Sequence, residues 1–155
     1  EDLVAFGRFP YSKGNLTQTD RTFIDNAIAY MNLDDIRHQY IDNLSGGQRQ
    51  RAYIAMTLAQ DTDYILLDEP LNNSVQIMQV LRKLATELNK TVVIVIHDIN
   101  FASCYSDYIV AMKNGKLVHQ GEVNHIMQSP VLQDIYDMAI PIQDIDNHKI
   151  AVYFR

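Results

Sequence analysis

Apolar residues recur at helical spacing twice before residue 60. Ile24, Ala27, Ile28 and Met31 fall on one face of a first helix, and Thr17 and Asp20, three apart, form a capping box ahead of them. A second helix is predicted from Ser45, with Ala52, Ala55, Met56 and Ala59 along one side; residues 38–44 between the two read as loop. After Gln60 the pattern changes. Residues 64–67 and 92–96 are short apolar runs, the second rich in β-branched side chains, and such runs suit parallel strands buried on both faces. Val75, Met78, Leu81, Leu84 and Leu88 repeat at helical spacing between them, which gives a strand–helix–strand unit with an expected right-handed crossover. Residues 108–112 and 116–118 flank Asn114-Gly115, the signal of a type I′ hairpin. Residues 122–128 and 131–138 read as short helices and 150–154 as a last strand. The fold class is α/β: a helical part followed by part of a parallel-sheet core.

Composition changes this picture little. The 155 residues, 47% hydrophobic and 21% charged, suit about one ordinary globular domain. A net charge of -6 argues against a nucleic-acid partner, which calls for a basic excess or stripe. Cys104 is the single cysteine, so an internal disulfide is excluded, and one thiol fits a reducing compartment. No basic start leads into an apolar stretch at the N-terminus, and no apolar run nears the roughly 20 residues of a membrane helix. Membrane association is expected to go through a partner.

Both predicted strands end in polar residues, the first in Asp68-Glu69-Pro70 and the second in His97-Asp98. In open parallel sheets ligands collect at the carboxyl edge. Side by side, the strands would place Asp68, Glu69 and His97 on one rim, a set suited to Mg²⁺-assisted phosphoryl transfer. A hard cation takes carboxylate oxygen, a second carboxylate orients or deprotonates a water, and an imidazole donates to a phosphate gaining charge. An acidic turn before proline is also common punctuation, and a lone histidine after a strand is more often a loop residue. The matched placement of both weighs for chemistry.

Leu44-Ser45-Gly46-Gly47-Gln48 precedes the second helix. Ser45 and Gln48 alone would make a capping box. The two glycines are not needed for that, and each weakens a helix by roughly 0.5–1 kcal/mol relative to Ala. Their use is close approach of a ligand to the unpaired N–H groups and the positive dipole end of the helix, an anion site.

These residues resemble a known family. Residues 44–51, Leu-Ser-Gly-Gly-Gln-Arg-Gln-Arg, look like the signature motif of ABC-type ATPases, and residues 65–70, Ile-Leu-Leu-Asp-Glu-Pro, look like a Walker B strand with its catalytic glutamate. His97 stands where the family has its switch histidine. Within the family, residues 4–11, 71–73 and 97–102 are most similar to the ATPases of iron–siderophore importers. The resemblance implies a P-loop NTPase fold divided into a helical signature subdomain, 1–60, and a Walker B and switch-histidine part of the α/β core, 61–155. It implies that Asp68 helps hold Mg²⁺, largely through water, that Glu69 polarises the attacking water, and that His97 contacts the γ-phosphate. Ser45, Gly46, Gly47 and Gln48 would contact the γ-phosphate of ATP held by a second, head-to-tail subunit. Implied partners are that subunit, membrane-spanning permease subunits and, indirectly, a substrate-binding protein. The implied place is the cytoplasmic face of the cell membrane.

Two departures from the family pattern stand out. The Gly-rich phosphate loop ending in Gly-Lys-Ser/Thr, the adenine-stacking aromatic and the glutamine loop would all lie before Glu1, so the chain reads as a truncated piece, expected neither to bind ATP tightly nor to turn it over alone. After Leu71-Asn72-Asn73, the family's Leu-Asp pair is missing and the segment is about five residues short, a span still bridgeable by a loop of about 2–6 residues. The alternatives are a soluble ABC ATPase without a transport role, against which the lack of coiled-coil or basic extensions weighs, and a non-enzymatic docking fragment. Elsewhere, Phe6, Phe9 and Tyr11 suit either a permease interface or burial beneath the helices. Phe101, Cys104 and Tyr105 are predicted core, and His38, His119, His125 and His148 are predicted surface residues without metal-ligand spacing.

Overall fold

The computed structural model describes residues 1–69 and 75–153. Two short helices open the chain, α1 (Asp2–Phe6) and α2 (Phe9–Ser12). A Cβ at Gly7 between them would overlap the Met56 carbonyl, so only glycine lets this corner seat on the helix that carries Met56. Helix α3 (Gln18–Tyr30) starts from the expected box: Thr17 Oγ1 accepts the Asp20 N–H at 3.2 Å, and the Asp20 carboxylate accepts the Thr17 N–H at 2.9 Å. Its apolar stripe, Ile24, Ala27 and Ile28 with Met31 just beyond, is buried as the spacing requires. A 3-10 turn at Ile41–Asn43 lies within the expected loop. Helix α4 (Gly46–Ala59) then buries Ala52, Ile54, Ala55 and Ala59.

One charged group is buried here that the sequence pattern did not single out. Arg8 donates from Nε to Asp20 Oδ1 at 2.9 Å and from Nη1 to the Ala59 carbonyl at 3.0 Å, with its guanidinium 4.2 Å over the Tyr11 ring and 4.4 Å over Phe23. This ties α2, α3 and the end of α4 together. The Thr17 hydroxyl, then the Thr17 N–H, then Arg8 hold the Asp20 carboxyl down at about 2, against an ordinary value of 3.8. A depressed carboxylate contributes stability that is full above the ordinary value and lost as pH falls through the depressed one. We therefore expect Asp20→Asn to lower the melting temperature at pH 6, and the gap between it and the unaltered protein to close as pH drops from about 4 to about 2. Thermal melts across that range check this; a constant gap counts against the ionised pair.

Strand β1 (Tyr64–Asp68), helix α5 (Val75–Glu87) and strand β2 (Thr91–Val95) follow. The two strands are hydrogen-bonded neighbours in a two-stranded sheet. The Thr91 N–H donates to the Asp63 carbonyl at 2.8 Å, joining start to start, as parallel pairing requires. Burial on both faces is corrected by the structure. Ile65 is buried, but Tyr64 (66% exposed) and Leu66 (73%) on β1, and Val93 and Val95 on β2, face solvent. Sheet residues alternate in direction, and the described residues cover one face only. Helix α5 buries Ile77, Met78, Leu81 and Leu84, matching three of its predicted positions, while Val75 and Leu88 are exposed. Residues 70–74, which hold the short segment after Asn73, lie outside the described residues.

By its contacts the chain divides into two compact units, Glu1–Ile94 and Val95–Arg155. The second begins with helix α6 (Ile99–Tyr105), then the hairpin β3 (Tyr108–Lys113) and β4 (Lys116–Glu122). Asn114 and Gly115 both take positive φ, 53° and 74°, as a type I′ turn demands. Helices α7 (Val123–Ile126) and α8 (Ser129–Tyr136) precede a second hairpin, β5 (Ile142–Ile145) and β6 (His148–Ala151). The expected last strand thus begins earlier and has a partner, β5, that was not predicted; Phe154 lies outside the described residues. The unit's core gathers Ile99, Ile109, Ile126, Met127, Leu132, Ile140 and Ala151. Two expectations are corrected. On α6 the buried positions are Ile99 and Ser103, while Phe101, Cys104 and Tyr105 are only partly covered. His119 is half-buried rather than a free surface residue, with Nε2 2.7 Å from Asp134 Oδ2.

Candidate active site

The Gly-rich turn sits at the start of α4, as its pattern predicted. Ser45 is the N-cap in extended backbone; its Oγ accepts the Gln48 N–H at 3.3 Å, and Gln48 Oε1 accepts the Ser45 N–H at 2.9 Å. The capping box is therefore real, and it does not use up the site. The Ser45 hydroxyl keeps its proton to donate and the Gln48 amide keeps its NH₂. The N–H groups of Gly46 and Gly47 belong to the first turn, which has no intrahelical acceptors. Among the described residues nothing lies within 4 Å of a Cβ built on Gly46 or Gly47, and neither has a positive φ. Neither their packing nor the backbone asks for glycine at these two positions.

Arg49 and Arg51 are partly buried, and the Nε of each is shielded from solvent with no hydrogen-bond partner among the described residues.

Asp68 closes β1 with an exposed side chain, and Glu69 follows it, also exposed, at φ 44°. A left-handed conformation is uncommon for a residue with a Cβ and clusters at functional positions. Among the described residues no three His, Cys, Asp or Glu side chains gather into a metal cage. One exposed carboxylate at a strand end suits Mg²⁺, which keeps waters and takes one or two carboxylates together with phosphate oxygens. Asp68 could hold it there. His97, exposed, lies in the second unit, two residues past β2 and directly before Asp98. The fold thus brings Ser45, Gly46, Gly47 and Gln48 together at one helix start and Asp68 with Glu69 at one strand end.

Three comparisons bear on these sites. The ABC transporter family model matches residues 6–72, a span that holds both the glycine turn and the Asp68-Glu69 strand end. The petrobactin import ATP-binding protein YclP of Bacillus subtilis (strain 168) is 62% identical over 159 residues, covering 99% of this chain and 63% of its own length. This chain belongs to the ABC transporter ATPase family. A second relative, the petrobactin import ATP-binding protein FatE of Bacillus anthracis, is 51% identical, covering 97% of the chain and 62% of its own length. Among solved structures, an ABC transporter in an inward-facing conformation aligns with TM-score 0.84 at 25% identity, over 98% of this chain and 65% of that one. The cbiO1 protein of Clostridium perfringens, part of the ABC transporter complex cbiONQ, aligns with TM-score 0.71 at 27% identity, over 84% and 53%.

The α/β fold of an ABC ATPase domain is thereby established, and the chain spans somewhat over three-fifths of the length of the curated relatives described. The alignment with YclP runs over more positions than this chain has residues, so that relative carries positions without counterpart here.

Proposed function

We propose that this ABC ATPase chain is the signature and hydrolysis part of the ATP-driven motor subunit of a membrane importer for iron–siderophore complexes. The observation that carries this is the coincidence, in one family member, of an outward-open glycine turn at a helix start with an acidic pair at a strand end. The cargo class rests on the two relatives named for petrobactin import. In this reading Asp68 holds Mg²⁺ largely through water, Glu69 polarises the attacking water and His97 contacts the γ-phosphate.

Ser45, Gly46, Gly47 and Gln48 would meet the γ-phosphate of ATP held by a head-to-tail partner copy, so that hydrolysis opens the pair. Permease subunits would turn that motion into transport, a substrate-binding protein would deliver the cargo, and the assembly would sit at the cytoplasmic face of the membrane. Among the described residues no helix is long and apolar enough to cross a membrane, which suits attachment through the permease. Residues 1–60 would act as the helical signature part and 61–155 as the hydrolysis part.

The test is reconstitution. The complete subunit and its permease in proteoliposomes should take up ferric siderophore with ATP and Mg²⁺, and a subunit carrying Glu69→Gln should not. ATP hydrolysis that no ferric siderophore and binding protein stimulates would overturn the cargo assignment. The 155-residue chain alone at millimolar Mg-ATP serves as control, with no turnover that depends on Glu69.

A further inference from the structure

His97 has its own carrier, the short helix that begins with the next residue but one, and that carrier is held from the far end of the chain. Asp98 is the N-cap of α6, its Oδ1 accepting the N–H groups of Asn100 at 2.8 Å and Phe101 at 3.3 Å. Helix α6 has seven residues, two turns, too few to persist without tertiary support. The support is β6. One edge of β6 pairs with β5, Ile142 opposite Ala151 and Asp144 opposite Lys149. Among the described residues the other edge pairs with no strand, and its polar groups are met by side chains of α6. The Asn100 amide donates to the Ala151 carbonyl at 3.1 Å and accepts the Ala151 N–H at 2.7 Å, taking both backbone groups as a neighbouring strand would. The Ser103 hydroxyl donates to the Lys149 carbonyl at 2.6 Å.

These contacts are sheltered, with Ser103 5% and Ala151 1% exposed, and Ile99 packs in the same core cluster as Ala151. Beyond the strand, Tyr153 hydrogen-bonds the Asp98 carboxylate. Buried polar groups need such partners, so the lock is specific in register as well as in place.

We propose that the β5–β6 hairpin is a positioning device for His97, acting through the two ends of this clamp, Asn100 on Ala151 and Tyr153 on Asp98. The proposal rests on the reading of His97 as a γ-phosphate contact. Ser103 holds the second turn of α6, and the other contacts fall on its start, at Asp98 and Asn100, one and three residues from His97. Release of that turn moves the imidazole relative to the phosphate, and misplacement of about 1 Å can reduce a rate by up to about 10²-fold.

The experiment uses the complete subunit reconstituted with its permease, and measures ATP kcat and KM for Tyr153→Phe and Asn100→Leu, each in the native background and with His97→Ala. Tyr153→Phe keeps the ring and removes one hydroxyl, so it carries the test if Asn100→Leu does not fold. The expected result is a fall in kcat of about tenfold at unchanged KM in the native background, and less than about twofold with His97→Ala already present, the non-additivity of groups that act as one. Equal losses in both backgrounds, or native kcat in folded Tyr153→Phe, overturn the clamp. If His97→Ala lowers kcat while the clamp variants do not, the clamp fails and the role of His97 stands. If His97→Ala leaves kcat unchanged, both fall.

Discussion

Replacing Glu69 by Gln in the complete subunit is expected to slow ATP hydrolysis on the order of 10²–10⁴-fold while leaving ATP binding nearly intact. The amide keeps the size of the carboxylate and the shape of the turn. It loses the negative oxygen that, in the proposed role, would draw a proton from, or align, the attacking water. The side chain is exposed at the end of β1. The backbone there is the unusual part. At φ 44° Glu69 sits in a conformation that costs a residue with a Cβ on the order of 1 kcal/mol or more, and a sequence selected for stability alone would place Gly or Asn there. Steady-state phosphate release and equilibrium nucleotide binding, measured on the same preparation, separate the two quantities. Lost binding with little change in rate per bound ATP would contradict the role given to Glu69.

The parts of the fold that could be read from the sequence are those with local causes. Thr17 with Asp20 and Ser45 with Gln48 each close a capping box within four residues, and Asn114-Gly115 sets its own turn, so each prediction needed no knowledge of distant chain. The end of β1 was legible for the same reason, since a short apolar run stops visibly at Asp68-Glu69. What could not be read depends on long-range partners. Ser103 is a buried position of α6 because Lys149, 46 residues on, offers a carbonyl for its hydroxyl. Arg8 is buried because Asp20 and the Ala59 carbonyl neutralise and bind it, and a lone arginine between aromatics carries no sign of that.

Strand β5 escaped notice because it is four residues long, and its turn, Asp146-Asn147, has both residues in the left-handed region without a glycine to mark it. The two-sided burial expected of β1 rested on composition. Composition gives the preference of Tyr64 and Leu66 for cover, not whether the described residues supply it.

The glycine turn gives the other large expected effect, and here stability and activity should move in opposite directions. Gly47→Ala places a methyl group where nothing stands within 4 Å, at a helical position without positive φ. Alanine is the better helix residue, so the isolated 155-residue chain should gain up to roughly 0.5–1 kcal/mol in stability. The complete subunit should lose hydrolysis by about 10²-fold, the size seen when a donor to a developing phosphate or oxyanion charge is displaced. In the proposed function, the methyl group would stand between the helix start and the γ-phosphate of a partner copy's ATP, holding the N–H groups of the first turn away from it. Ser45→Ala offers the complementary case. It removes the cap and the hydroxyl together, so it should lower stability by about 1 kcal/mol and hydrolysis as well. Chemical denaturation of the chain alongside hydrolysis by the complete subunit measures both. A Gly47→Ala protein that hydrolyses ATP at the native rate would mean that no ligand approaches this helix start, and the glycines would then have no explanation in the fold.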